Sequence, residues 1–78
     1  MPTILRIGPY RFHFYSNDKN EPPHIHVRSG DGECKFWLDP IILADNKGIP
    51  VHNLHAIERL VYENQMKLME EFNAFYNE

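Results

Sequence analysis

Between residues 3 and 38 apolar side chains recur at every second position, and from residue 53 onward at every third or fourth. A pleated strand has the first period and an α-helix the second, so the switch divides the chain into a sheet-forming part and a helix-forming part. Gly8-Pro9 separates "TILRI" (3–7) from "YRFHFYS" (10–16), and "GDG" (30–32) separates "HIHVRS" (24–29) from "ECKFWL" (33–38). Such dipeptides close tight antiparallel connections, and "GDG" predicts a hairpin. The polar stretch "NDKNEPP" (17–23) predicts a longer loop. After Asp39-Pro40, "IILA" (41–44) forms a short fifth strand that the turn-like "DNKG" ends, and Pro50 limits pairing beyond it.

In the second part Leu54, Ile57, Val61, Leu68, Phe72 and Phe75 form a helical stripe, widened by Leu60, Met69 and Tyr76. Asn53 is the expected N-cap, because its side-chain oxygen can accept an orphan amide. Neither Gly nor Pro interrupts residues 54–78, which predicts one helix of about 22 residues, ~33 Å long. The fold class that follows is α+β, a four- to five-stranded antiparallel meander packed on one face by a long C-terminal helix. With 78 residues the chain is one domain, 1–78. A domain of this size buries only ~60% of its unfolded surface. The apolar stripe is therefore read as core, and a homodimer that buries more of it is a partner open to the chain.

Sorting each strand by alternation gives two rows. Leu5, Ile7, Phe12, Phe14, Ile25, Val27, Cys34, Phe36 and Leu38 make an apolar row for the helix to cover. The opposite row holds Arg6, Arg11, His13, Tyr15, His24, His26, Arg28, Glu33, Lys35 and Trp37. All four strands agree with this division, which supports one register. His24 and His26 in "NEPPHIHV" (20–27) are thus expected away from the core, on a solvated face with Arg28. His13, Tyr15 and Arg11 join them if the hairpins are neighbours. The plain alternative is that open sheets leave one face wet and mixed in polarity.

Three chemistries fit this row. Two imidazoles near neutral pH can act as acid and base, with His24, His26 and Arg28 as catalytic candidates for metal-independent RNA cleavage. A basic, aromatic-bearing face made of Arg11, His13, Tyr15, Lys35 and Trp37 can instead bind a small protein partner or RNA without turnover. A metal would fall to His24 and His26, but zinc needs further ligands and the neighbouring cations oppose it. No cofactor motif is present: the chain lacks a Gly-rich phosphate loop, Cys-x-x-Cys and helical His-Glu-x-x-His.

Composition narrows the setting. One cysteine, Cys34, excludes an internal disulfide framework and reads as a small buried hydrophobe. No apolar run approaches ~18 residues and no basic-then-apolar leader opens the chain, so a cytoplasmic protein without a membrane role is expected. The net charge of −3 is uneven, with six Lys/Arg against six Asp/Glu in residues 1–52 and the excess acid beyond. The overall sign therefore does not exclude anionic ligands from the sheet.

"MPTILRI", "NEPPHIHV", "GECKFWLDP" and "IERLVYENQMKLMEEFNAFY" together resemble the bacterial domain-of-unknown-function family 4160, over nearly the whole chain. The matching motif positions are Glu21, Pro22, Pro23, His24 and His26, then Gly32, Glu33 and Lys35. The resemblance implies a compact cytoplasmic bacterial protein encoded beside another small domain, an arrangement like a toxin–antitoxin pair. It raises the expectation of a protein partner and of nucleic-acid-related function, and transfers no catalytic role.

Overall fold

Three two-residue connections set the register of the sheet. Ile7 pairs with Tyr10 around Gly8-Pro9, Ser29 with Gly32 around Gly30-Asp31, and Leu38 with Ile41 around Asp39-Pro40, whose peptide bond is cis. Gly8 and Gly30 have φ of 56° and 59°, and among the described residues no residue other than glycine has positive φ. A positive φ at the first central position followed by an ordinary one matches the hairpin turn whose twist suits flanking strands, and it lets Pro9 stand second. The structure is a computed structural model that describes residues 3–16 and 20–76. Residues 17–19 of the expected loop and 77–78 of the expected helix lie outside the described residues.

The sheet contains β1 (Thr3–Ile7), β2 (Tyr10–His13), β3 (His24–Ser29), β4 (Gly32–Leu38) and β5 (Ile41–Lys47), neighbouring in chain order and all antiparallel. Two helices follow, α1 (Val51–Glu63) and α2 (Gln65–Tyr76). The expected α+β meander with C-terminal helical packing is the architecture observed. Phe12, Ile25, Val27, Phe36 and Leu38 of the apolar row are buried with Ile57 and Val61 of α1 and Leu68 and Phe72 of α2. Phe14 sits among the rings of Phe72, Phe75 and Tyr76.

Four details differ from the sequence reading. The helix begins at Val51 rather than after Asn53, with Pro50 as an N-cap that makes no side-chain cap bond. Asn53 lies inside the first turn, where its amide donates to the Tyr10 hydroxyl at 3.0 Å, so it joins helix to sheet instead of capping. The helical stretch is also interrupted at Asn64, whose φ of −115° and ψ of 16° leave the helical region. The Asn64 amide side chain donates to the Leu60 carbonyl at 2.8 Å, a local bond that competes with the helical ladder.

In the sheet, β2 stops at His13 rather than continuing to residue 16, and the Tyr15 carbonyl accepts a hydrogen bond from the Tyr76 hydroxyl of α2 instead. At the far edge β5 runs through Asp45, Asn46 and Lys47, which the sequence suggested as a turn. Those residues face Lys35, Cys34 and Glu33 of β4, so opposite charges meet across two of the three pairs. A register shift between Lys35 and Phe36 accommodates the longer strand.

Gly32 is required where β5 turns toward α1. A Cβ there would stand 2.8 Å from Ile49 Cγ1 and 2.9 Å from the Gly48 carbonyl carbon and oxygen. The Asn46 side chain clasps the same turn, donating to the Ile49 carbonyl and accepting from the Ile49 amide, both at 3.0 Å. Backbone cannot yield as a flexible side chain does. Gly32→Ala is therefore expected to lower unfolding stability by about 1–3 kcal/mol, read as a lower urea midpoint. An unchanged midpoint would show that this approach is looser than described.

Candidate functional site

The polar row assembles as one face. Across β1, β2 and β3, Arg6 faces Arg11 and Arg11 faces Arg28. In the next rank His13 faces His26, which faces Lys35 and then Asp45. A third rank sets His24 against Trp37 and Ile42. Directly opposite residues share a sheet face, so the ranks continue across the strands without a break.

The histidines, however, are not solvated. Relative exposure is 1% for His13, 0% for His24 and 9% for His26, which corrects the expectation of a wet His pair. The cause is aromatic neighbours on the face itself. Tyr15 stands edge-on to His26 at 4.5 Å and to His13 at 5.0 Å, and His13 stacks on His26 at 5.7 Å. His24 lies edge-on to Trp37 at 5.8 Å and to Phe72 of α2 at 5.4 Å. α2 thus reaches a residue of the polar row at the end of the sheet, which strand alternation alone does not foresee.

Glu33 is the centre of the network. The Tyr15 hydroxyl donates to its two carboxylate oxygens at 2.7 and 2.9 Å, and Arg28 Nη2 donates to Oε1 at 2.9 Å. His26 Nδ1 lies 3.6 Å from Oε2 and His13 Nε2 3.8 Å from Oε1. Glu33 was legible as the lone carboxylate among cations on the first four strands. Its role as the hub depends on Tyr15, which lies 18 residues away in the chain.

Burial shifts the ionisable groups predictably. Tyr15 is pushed above the usual tyrosine value by burial, and then by the Glu33 carboxylate that accepts its hydrogen bond. Cys34, on the core side, is pushed up to about 12 by burial, so it is an unreactive thiol. His24 Nδ1 donates to the Pro22 carbonyl at 2.8 Å. A carbonyl accepts only, so this bond places a proton on Nδ1.

Each candidate now has a position. Arg28, His26, His13, Tyr15 and Lys35 surround Glu33 or line the space beside it. His24 and Trp37 lie at the α2 end, and Arg11 lies in the arginine rank. Lys35 is held by Glu21 and sits 4.6 Å over the Trp37 ring. A cavity of about 230 Å³ opens between Tyr15, His26, Glu33, Lys35, Asp45 and Lys47. A second, about 190 Å³, lies against Arg6, Arg11 and Arg28. Asp45 and Lys47 were missed because that segment reads as a turn. Among the described residues, no group of three or more His, Cys, Asp or Glu is gathered so as to hold a metal ion. Likewise no helix there is long and apolar enough to cross a membrane.

His13 carries a pH signature. Both its ring nitrogens are buried and lack a hydrogen-bond partner among the described residues. Burial lowers its pKa below 6.5, against a smaller upward pull from Glu33. The unfolded chain then binds a proton at a pH where the folded chain does not, so this residue's effect on stability worsens as pH falls below about 6.5. Urea midpoints should fall between about pH 7.5 and about pH 5.5, and fall less in His13→Leu. Parallel declines would remove His13 as a cause.

A family model described as Domain of unknown function (DUF4160) matches residues 10–73, from β2 to α2. No curated protein and no solved structure matches the chain.

Proposed function

We propose that this chain, which belongs to the DUF4160 family of domains of unknown function, is a partner-binding module that docks a small acidic protein on the polar face of its sheet. The observation that carries the reading is the division of that face into two layers. The imidazoles and the Glu33–Tyr15 bond form a buried layer. Above it, exposed Arg6, half-buried Arg11 and Arg28, and the Trp37–Ile42 pair meet solvent, with Ile42 53% exposed. Arginine and tryptophan are the side chains that most often carry interface energy, and a rigid layer beneath them lowers the ordering cost of binding. In a bacterial, cytoplasmic setting, the gene neighbour that the family resemblance implies would make the two proteins a toxin–antitoxin-like pair.

Co-expression with the small protein encoded beside it, followed by calorimetric titration of the separated components, tests the reading. A 1:1 complex is expected. Ile42→Asp and Trp37→Ala should each weaken it by about tenfold or more, at least ~1.4 kcal/mol. Ile42 is exposed, so its variant retains the fold if Trp37→Ala does not. Absence of a complex, or full affinity in Ile42→Asp, would overturn the proposal.

One observation favours a second reading, metal-independent RNA cleavage. His26 lines the 230 Å³ cavity with Tyr15, Lys35 and Lys47, which sets an imidazole beside cations that could stabilise a phosphorane-like charge. His24 is enclosed by Trp37 and Phe72, so in this reading it positions His26 rather than touching substrate. Cleavage of RNA that survives EDTA and disappears in His26→Ala would favour it. Absence of cleavage by the wild type leaves binding as the function.

A further inference from the structure

We infer that the arginine rank at the β1–β3 end of the sheet is a phosphate site, built for the dianion of a phosphate monoester or free phosphate. Arg6, Arg11 and Arg28 stand on three adjacent strands as two directly facing pairs. Like charges directly opposite across a ladder repel, so the rank costs stability unless something neutral or negative lies between them. Within the chain that compensation is partial. Glu33 takes Arg28 at 2.9 Å and is itself shared with Tyr15. Among the described residues, no carboxylate pairs with Arg6 or Arg11.

Two positive charges therefore remain uncompensated around one cavity. That cavity, about 190 Å³, is lined by the three arginines with Pro9 and Gly30. Two of the three tight turns border it, one through Pro9 and the other through Gly30. A Cβ on Gly30 would meet nothing within 4 Å, so this part of the rim is open. The ligand class follows from charge and shape. Guanidinium groups donate in planar forks that match the oxygens of phosphate; Arg6 and Arg11 can offer whole forks, and Arg28 its N–H groups other than the one given to Glu33. A dianion balances the two excess charges, whereas a phosphodiester supplies one negative charge and two free oxygens. The site shares Arg6, Arg11 and Arg28 with the proposed docking face but not its Trp37–Ile42 end, which lies two ranks away in the sheet.

Binding of inorganic phosphate to the whole protein at low ionic strength tests the inference. Amide spectra and calorimetry would be run beside glycerol phosphate, dimethyl phosphate and chloride at matched ionic strength. Phosphate and glycerol phosphate should each saturate a single site in the millimolar range, perturbing residues 6–11 and 28–30. Saturation by free phosphate without glycerol phosphate would identify the free ion as the ligand, and saturation by both would identify the monoester group. Arg11→Gln should weaken binding about tenfold or more yet melt no lower than the wild type without phosphate, because it relieves repulsion on both sides. Lys67→Gln, an exposed change on the second helix, should bind phosphate like the wild type. The inference fails if no saturable site appears, if dimethyl phosphate or chloride binds equally well, or if Arg11→Gln retains full affinity. Phosphate binding that is unchanged in Ile42→Asp while the partner complex is weakened would separate this site from the docking reading.

Discussion

The carboxylate of Glu33 lies half-buried among Tyr15, Arg28, His26 and His13, and the polar side of the sheet is organised around it. A charge withdrawn from water in this way is tolerated only when partners occupy its oxygens. Arg28 and the Tyr15 hydroxyl do so directly. In return Glu33 ties the segment just after β2 and the C-terminal half of β3 to the start of β4. The imidazoles of His13 and His26 pack against this bonded unit, and their burial is a consequence of it. Were the carboxylate absent, Arg28 would join Arg6 and Arg11 as a third uncompensated cation.

The face that results is neither an ordinary wet sheet surface nor a second hydrophobic core. Its lower layer is imidazole-rich, with Tyr15 placed edge-on to His13 and His26. Its upper layer shows arginines at one end and Trp37 with Ile42 at the other. A fully enclosed His24 cannot exchange protons with a substrate directly, which weakens the picture of two histidines acting as an acid–base pair. A rigid platform with charged and apolar groups displayed at separate ends suits recognition better. His26 combines near-burial with contact to the 230 Å³ cavity.

Much of this face is legible in the sequence. Alternation assigned Arg11, His13, His24, His26, Arg28, Glu33, Lys35 and Trp37 to one face, and the strand pairing agrees. Alternation succeeds because it is a property of the pleat and needs no knowledge of partners. The Gly8-Pro9 and Gly30-Asp31 turns were equally local. Helix limits were harder to read. Asn53 resembles a cap, but bonding to Tyr10, 43 residues away, uses its side chain elsewhere. Asn64 interrupts the helix through one side-chain bond, with no Gly or Pro to announce it. The length of β5 depended on Lys35 and Glu33 waiting opposite Asp45 and Lys47.

The sequence by itself determined the period-two strands, the tight turns, the helical C-terminal part and the membership of the two sheet faces. Each of these follows from backbone geometry over a few residues. Tertiary structure alone decided how deep the polar face lies, because depth depends on which side chains distant in the chain stand beside it. Tyr15 covers His13 and His26, Phe72 of the second helix closes on His24, and Glu33 is held from 18 residues away. Alternation says which way a side chain points, whereas only packing determines whether water reaches it.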